Sequence, residues 1–440
     1  MIVISCPREY VTGGTELLHQ LAYKLNLFGF DAYIKYYGAD TGKPATNPYF
    51  IKYNVQVIED VDDLQDNILV FPEMMALSVL DIKKQFPKSK HVLWWLSVDN
   101  AQMTKEAEKR LAEDNEVIHL VQSYYAMDYV KNTLSVSDDR VFYLSDYINY
   151  NYLNIDSIVK RDNTVLFNPR KGFERTARII SSSDFLRIKW RELAGIAPEK
   201  VPEVLQSAKV YIDFGNHPGK DRFPREAAVC GCGIITGRKG AAAYDKDVPI
   251  PVRFKIDDDE DDRVILEQIY ALVENYEENR ALFSSYIDQI KEEFHIFETD
   301  VLSSFSVICK KKIDGIEIGD EELRSIIVDA VTNEDYKKAL YYITVYRIKE
   351  YVFDEGMMIL EAYTRLGIPA EQQAALYLVN QVIDRNGTDY EAHLLKARVL
   401  IALGRSSADE ALDNALKNSR GTADEEYITE AVGVLRATDI

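Results

Sequence analysis

Short apolar runs alternate with helical patterns over most of the 440-residue chain. Apolar runs bounded by polar segments are typical of buried strands, and apolar residues at every third or fourth position between them are typical of helices. The predicted strands of the first part are 1–6, 31–36, 55–57, 68–71, 91–96, 117–121 and 140–144. Strands that alternate with helices in this way predict a parallel sheet covered on both faces.

A second series of strands begins after the polar segment 156–163. The predicted strands are 164–167, 186–189, 210–214 and 233–236, and the predicted helices are 173–181, 198–207 and one that starts near Pro224. This series predicts a second α/β domain. Two such domains in series place the carboxyl ends of both sheets around a shared cleft, where open sheets bind ligands.

The strand pattern ends near residue 314, and an Ala-Leu dipeptide then recurs at a spacing of 36 residues. The three copies are Ala339-Leu340, Ala375-Leu376 and Ala411-Leu412. Helix pairs at this period resemble tetratricopeptide-type repeats, which contact protein partners; a plain helical bundle that covers the preceding domains is the alternative. The sequence therefore predicts an α/β protein with Rossmann-like domains at 1–158 and 159–313 and an all-α repeat domain at 314–440.

The formal net charge of −20 argues against general nucleic-acid binding, which relies on Lys and Arg to neutralise phosphates. Four cysteines are too few for a disulfide framework, and the six histidines have no metal-ligand spacing, so we expect no metal or other cofactor. No apolar run approaches the roughly 20 residues that cross a bilayer, and the first residues lack a basic signal segment. We expect a cytoplasmic protein, with peripheral attachment to the inner face of the membrane left open.

Two short segments follow predicted strands and suit an anionic ligand. Gly13 and Gly14 open the first helix, where backbone N–H groups can face a ligand; a tight turn is the alternative. Arg170 and Lys171 directly follow the strand 164–167, where two cations would neutralise a diphosphate; solvated surface cations are the alternative.

The segment 217–232 runs from a strand end through a glycine loop into a short helix. Pro224 suits a first helical turn, and Glu226 lies near the positive helix end, where its carboxylate could accept hydrogen bonds from ribose hydroxyls. A pure helix-dipole role is the alternative for Glu226. The candidate donor-binding residues of this segment are His217, Gly219, Lys220, Asp221, Arg222, Arg225 and Glu226.

These elements resemble the retaining GT-B glycosyltransferases that build bacterial surface polysaccharides. The residues that match the family's motifs are Gly13, Gly14 and Glu16 at the start, Arg170 and Lys171 in the middle, and Glu226, Ala227, Gly231, Ile234, Ile235, Gly237 and Gly240 around the donor helix. The resemblance implies two Rossmann-like domains facing a cleft, a nucleotide-sugar donor in the second domain, Glu226 as the ribose-binding glutamate and no metal requirement. Pro218 stands where many members carry a further glutamate.

The first domain would then bind the acceptor. Asp99, in the loop 94–100 after a predicted strand, could orient an attacking hydroxyl, and with Glu226 it is our catalytic candidate; capping of the next helix is the alternative for Asp99. The predicted function is transfer of a sugar from a nucleotide-sugar donor to a glycan, lipid-linked or protein acceptor, with a protein partner on the helical tail. An inactive scaffold, which Pro218 motivates, and a nucleotide-sugar epimerase are the alternatives.

Overall fold

The computed structural model describes residues 1–39, 42–154 and 159–438. The chain divides into two compact units, Met1–Lys310 and Lys311–Ile440. The domain boundaries after residues 158 and 313 stay predictions, and residue 158 itself lies outside the described residues.

Six parallel strands form the first sheet, in the order β2-β1-β3-β4-β5-β6. The strands are β1 (Ile2–Pro7), β2 (Ala32–Tyr37), β3 (Ile68–Pro72), β4 (Lys90–Trp95), β5 (Ile118–Val121) and β6 (Val141–Tyr143), and the helices are α1 (Gly13–Leu27), α2 (Val79–Gln85), α3 (Lys105–Glu113) and α4 (Tyr124–Asp128). Strand β1 pairs with β2 on one side and with β3 on the other. The chain runs from β1 to β2 on one side of β1 and then crosses to β3 on its other side, so the topological switch point of the sheet lies between β1 and β3. The carboxyl ends of these two strands border the crevice in which open sheets bind ligands.

The two adjacent tryptophans of β4 show why this sheet is buried on both faces. Successive strand residues point to opposite faces, and both Trp94 and Trp95 are fully buried. Trp95 Nε1 donates a hydrogen bond to His119 Nδ1 at 3.0 Å, and Trp94 Nε1 donates to the Leu144 carbonyl at 3.2 Å. Both indole N–H groups therefore have hydrogen-bond partners, without which their burial in the core would be unfavourable.

Five parallel strands form the second sheet, in the order β11-β10-β9-β7-β8. The strands are β7 (Thr164–Phe167), β8 (Lys189–Glu192), β9 (Val210–Asp213), β10 (Gly233–Gly237) and β11 (Lys255–Ile256), and the helices are α5 (Phe173–Ser181), α6 (Val201–Ser207), α7 (Arg222–Val229), α8 (Asp262–Glu274), α9 (Tyr276–Arg280) and α10 (Ser284–Ile308). Strand β7 pairs with β8 and β9. The switch point of this sheet therefore lies between the ends of β7 and β9.

The long helix α10 joins the two halves of the first unit. It begins in the core of the second sheet, where Ile290 is buried. Further along, Glu298 forms a buried ion pair of 2.6 Å with Lys24 of α1, and the Ile308 carbonyl accepts a hydrogen bond of 2.6 Å from Lys90 Nζ. Contacts from one helix to both sheets fix the halves against each other.

The described part of the second unit contains seven α-helices. They are α11 (Asp320–Thr332), α12 (Tyr336–Ile348), α13 (Glu355–Leu366), α14 (Gln372–Arg385), α15 (Tyr390–Ala402), α16 (Ala408–Ser419) and α17 (Glu425–Thr438). The three Ala-Leu pairs lie on α12, α14 and α16, and all six side chains are buried. The 36-residue spacing thus marks equivalent core positions, and the all-helical character predicted for this region is confirmed.

The α/β fold class is confirmed, but two predicted strands are wrong. Residues 55–57 form no strand; Val57 makes only an isolated bridge with Ile34. The segment 186–189 begins with a turn in which Leu186 is 96% exposed, and the strand is β8, three positions later. Strand β8 lies at a sheet edge, where charged residues protect the unpaired backbone, so it lacks an apolar pattern. The two-residue strand β11, at the opposite edge, was too short to predict.

Within the described residues, no helix has both the length and the apolar character that crossing a membrane requires.

Substitution of two glycines tests how the carboxyl ends of β7 and β9 pack. Gly172 and Gly195 both have positive φ, of 60° and 66°. A methyl group on Gly172 would overlap the Phe214 backbone, whereas one on Gly195 would meet nothing within 4 Å. Gly195→Ala should cost about 1–2 kcal/mol for the left-handed backbone alone, and Gly172→Ala should cost about 1–3 kcal/mol more through overlap.

Urea denaturation followed by tryptophan fluorescence measures both losses, because all three tryptophans lie in the first unit. Equal losses in the two variants would show that the ends of β7 and β9 are not packed as described.

Candidate active site

The loop 214–221 between β9 and α7 carries four of the predicted donor-binding residues and contacts the first sheet. The Val98 N–H donates a hydrogen bond of 2.7 Å to the Pro218 carbonyl. Any side chain on Gly219 would overlap the Leu96 carbonyl oxygen and approach Gln122 Oε1 to 3.0 Å. The glycine at position 219 is therefore required by the close approach of the two sheets' carboxyl ends.

A buried ion-pair network anchors this loop and the start of α7. The Arg225 guanidinium donates to both oxygens of Asp146, at 2.8 and 2.6 Å, and to Glu293 Oε2 at 2.7 Å. Lys220 Nζ lies 2.9 Å from Glu293 Oε1, and none of the four side chains is more than 4% exposed. Burial would raise the pKa of Asp146, but Arg225 and Lys220 outweigh it and lower that pKa. Because the two cations neutralise the two carboxylates, all four groups can stay charged in the buried interior.

Arg222 links the N-termini of α7 and α1. Its Nη1 donates to Glu16 Oε2 at 2.5 Å, and its Nη2 donates to the Gly13 carbonyl at 3.3 Å. Glu16 also accepts hydrogen bonds from the Tyr53 hydroxyl and from Lys52 Nζ. Burial opposes ionisation of Glu16, yet Arg222 and Lys52 lower its pKa to about 2. Glu16, the glutamate of the Gly-Gly-x-Glu element, thus connects the part of the unit that contains the first sheet to the part that contains the second sheet.

His217 lies between two aspartates. Its Nδ1 is 2.9 Å from Asp221 Oδ2, its Nε2 is 3.8 Å from Asp213 Oδ1, and Lys171 Nζ also donates to Asp221. Burial alone would lower the pKa of His217, but the hydrogen bond to Asp221 and the charges of both aspartates raise it. In the described part of the chain, Asp213, His217 and Asp221 are the one group of three potential metal ligands whose ligating atoms lie within 4.8 Å of one another.

This group was missed because its four-residue spacing spans a strand end and a loop, where the sequence gives no local geometry. The Lys171 ammonium already places a positive charge on Asp221. The expectation that the protein needs no metal stays a prediction.

Arg170 and Lys171 lie beyond the end of β7, beside the switch point of the second sheet. The Arg170 side chain is exposed and has no hydrogen bond or ion pair among the described residues; its backbone N–H is held by Asn168 Oδ1 at 3.0 Å. Lys171 is 30% exposed, and its Cβ packs directly on Gly215 at the end of β9. Both cations therefore border the same crevice.

Glu226 is buried on α7, with its carboxyl hydrogen-bonded to the Tyr152 hydroxyl. Burial raises the pKa of Glu226 to about 7, although the charges of Arg222 and Arg225 oppose the shift. A carboxyl in this state can accept a hydrogen bond from a hydroxyl without carrying a full charge.

A cavity of about 390 Å³ lies at the switch point of the first sheet. It is bordered by the N-terminus of α1, the ends of β3, β4 and β5, and the loop before α7. Of the predicted site residues it brings together Gly13, Gly14, Gly219, Lys220, Asp221 and Arg222. Arg170, Lys171, His217, Arg225, Glu226 and Asp99 do not line it.

Asp99 bridges the two halves of the unit. Its Oδ1 accepts a hydrogen bond of 2.7 Å from the Tyr125 hydroxyl, and its Oδ2 accepts one of 2.6 Å from Asn216 Nδ2. The following helix α3 is capped by Thr104, whose hydroxyl accepts from the Ala107 N–H, so the capping interpretation of Asp99 is wrong. Its role toward an acceptor hydroxyl stays a prediction.

Three acidic residues of this region were missed from the sequence. Asp146 and Glu293 are 79 and 68 positions from Arg225, so no local pattern could connect them. Glu73 directly follows the apolar strand β3 and lines the cavity, and an acidic residue just after a buried strand was a signal that could have found it.

Solved structures that match the chain share its fold. The Anabaena protein HepE in complex with UDP gives a TM-score of 0.53 at 10% identity and covers 70% of this chain and 100% of that chain. The same protein in complex with UDP-glucose gives 0.52 at 10% identity, with coverages of 69% and 99%. Sucrose-phosphate synthase from Thermosynechococcus elongatus gives 0.51 at 13% identity, with coverages of 70% and 98%.

No protein-family model matches the sequence, and no curated protein matches it. At these identities the structural similarity establishes the fold alone. The first unit, with its two parallel sheets, has the GT-B fold of solved glycosyltransferases.

Arg225→Met should lower the free energy of unfolding by about 3–5 kcal/mol at pH 7, because it leaves buried carboxylates short of a partner. The stability that the lowered pKa of Asp146 provides is present above its ordinary value and is lost as the pH falls through the lowered one. The loss on substitution should therefore shrink in acid.

Urea denaturation at pH 7 and in acid measures the change. The control is Arg178→Met, which removes a 55% exposed partner of Asp262 and should cost at most about 1 kcal/mol. Similar losses in the two variants would contradict the anchoring role of Arg225.

Proposed function

We propose that this protein is a glycosyltransferase whose nucleotide-sugar donor binds at the carboxyl edge of the second sheet. The observation that carries the proposal is the exposed Arg170 guanidinium beside Lys171 at the switch point between β7 and β9. Open α/β sheets bind ligands at this point, and paired cations there suit a diphosphate. HepE was solved with UDP and with UDP-glucose, which makes a uridine nucleotide the first donor to test.

In this proposal Arg170 grips two phosphate oxygens, and Lys171 shares its ammonium between Asp221 and the diphosphate. The first N–H groups of α7 face the same edge and carry the positive end of the helix. Glu226 accepts hydrogen bonds from the ribose, as the family resemblance implies. Arg225 and Lys220 are instead engaged with carboxylates, so they hold the loop in place.

The reaction breaks the bond between the anomeric carbon and the donor's phosphate oxygen and forms one to an acceptor hydroxyl oxygen, whose proton leaves with the released nucleotide diphosphate. Cations at the departing phosphate stabilise the charge that develops there. Independence from metal and retention of the anomeric configuration belong to the proposal through the resemblance. The acceptor is a glycan, lipid-linked or protein hydroxyl, and the helical unit binds a protein partner.

UDP should raise the melting temperature in a thermal-shift screen against UDP, GDP, dTDP and CMP, because a ligand that binds only the folded state stabilises it, by about 2.7 kcal/mol at 100 times Kd. The shift should survive EDTA. Joint replacement of Arg170 and Lys171 by Ala should abolish both the shift and sugar transfer, while Lys105→Ala, which alters a 90% exposed cation on α3, should leave both unchanged.

A shift that EDTA removes would overturn metal independence. No shift with any nucleotide would favour the inactive scaffold, and NMR detection of an isomerised free nucleotide sugar would favour the epimerase. Unchanged turnover in the Arg170 and Lys171 double variant would contradict the assignment of these residues to the donor site.

A further inference from the structure

The cavity at the switch point of the first sheet contains two buried side-chain oxygens with unmet hydrogen-bonding capacity. Glu73 Oε2 and Gln122 Oε1 have no hydrogen-bond partner among the described residues, and both side chains line the cavity. Glu73 is 4% exposed and Gln122 is 5% exposed. Buried polar atoms in folded proteins nearly always have partners, so two such atoms in one cavity point to a ligand that supplies them.

Glu73 is held in a fixed orientation. It directly follows β3, and its carboxyl accepts hydrogen bonds from its own N–H and from that of Leu96 at the end of β4. Burial raises the pKa of Glu73 to about 7, although these two N–H groups oppose the shift. One end of the carboxyl is thus tied to the backbone of two strands, which leaves Oε2 for another partner.

The two buried oxygens and the start of α1 favour a ligand with hydroxyl groups. The two unpartnered atoms are oxygens, and each can accept a hydrogen bond from a ligand hydroxyl. The first turn of α1, at Gly13 and Gly14, borders the same cavity, and N–H groups at a helix start need acceptors. A hydroxyl group donates and accepts at once, so it can pair with the two oxygens and with these N–H groups.

We propose that Glu73 and Gln122 bind hydroxyl groups of a sugar, which is the acceptor in the transfer reaction. This assignment rests on the proposed function. The position of the cavity supports this assignment. Gly219 of the loop before α7 lies against Gln122, so the carboxyl edge of the second sheet borders the same cavity. Glu73 then contributes to recognition of the acceptor sugar.

Glu73→Gln tests the assignment with little change in shape. The amide oxygen can keep the two backbone hydrogen bonds, which turns the NH₂ group toward the cavity, so a donor replaces the acceptor that the sugar hydroxyl needs. We expect affinity for the sugar to fall about tenfold or more, with no fall in melting temperature, since the variant breaks no internal contact of Oε2. A merely structural glutamate would show the reverse. Gln122→Leu should also weaken sugar binding.

The probes are methyl α-glucoside, methyl α-galactoside and methyl N-acetyl-α-glucosaminide, whose binding to the full chain is measured by saturation-transfer NMR with and without UDP. Wild type should bind at least one of them, and both variants should lose that signal while keeping the wild-type affinity for UDP. Glu113→Gln, on the exposed surface of α3, is the matched control and should behave as wild type.

Glycoside binding that is unchanged in Glu73→Gln and Gln122→Leu would overturn the assignment, and so would a wild type that binds UDP but none of the glycosides. Glycoside binding that depends on Glu73 in a protein that fails to bind UDP would support the sugar site while refuting the donor proposal.

Discussion

The buried pairing of Arg225 and Lys220 with Asp146 and Glu293 is the interaction on which the rest of the first unit depends. Asp146 follows the last strand of the first sheet, Glu293 lies on the helix that joins the halves, and the two cations belong to the second sheet's loop and helix. Three parts of the chain therefore meet in one charged cluster with at most 4% exposure. Since an unpaired charge in such surroundings is strongly unfavourable, the cluster forms only when all three parts are in place.

That constraint brings the carboxyl edges of the two sheets together. The first sheet contributes the cavity lined by Glu73, Gln122 and the start of α1, and the second contributes Arg170 and Lys171 beside the end of β9. Each edge is a switch point of its own sheet, which is where open α/β sheets bind ligands. The loop that carries Gly219 is common to both, because it starts at β9 and contacts the end of β4.

Sequence patterns predicted the parts of the fold that depend on local periodicity. Buried strands such as β7 and β9 were found with nearly correct bounds, and the Ala-Leu repeat identified core positions of the helical unit. Strand β8 was misplaced because an edge strand with charged residues has no apolar signature.

Sequence patterns report local structure and not contacts between distant residues, and this limit applies to the site as well. The glycines and cations of the loop could be recognised from their order along the chain, but their partners could not. Arg225 and Lys220 looked like donor ligands until distant carboxylates were found against them. Glu73 was missed although it directly follows the buried strand β3, and only the structure shows that its Oε2 has no partner among the described residues.

A crystal structure of the protein grown with UDP and EDTA tests the central claim most directly. The account predicts the diphosphate between the ends of β7 and β9, within hydrogen-bond distance of Arg170 or Lys171 and facing the start of α7, with no metal bound. A diphosphate located instead in the cavity beside Glu73, or bound only when a metal is supplied at Asp213, His217 and Asp221, would contradict it.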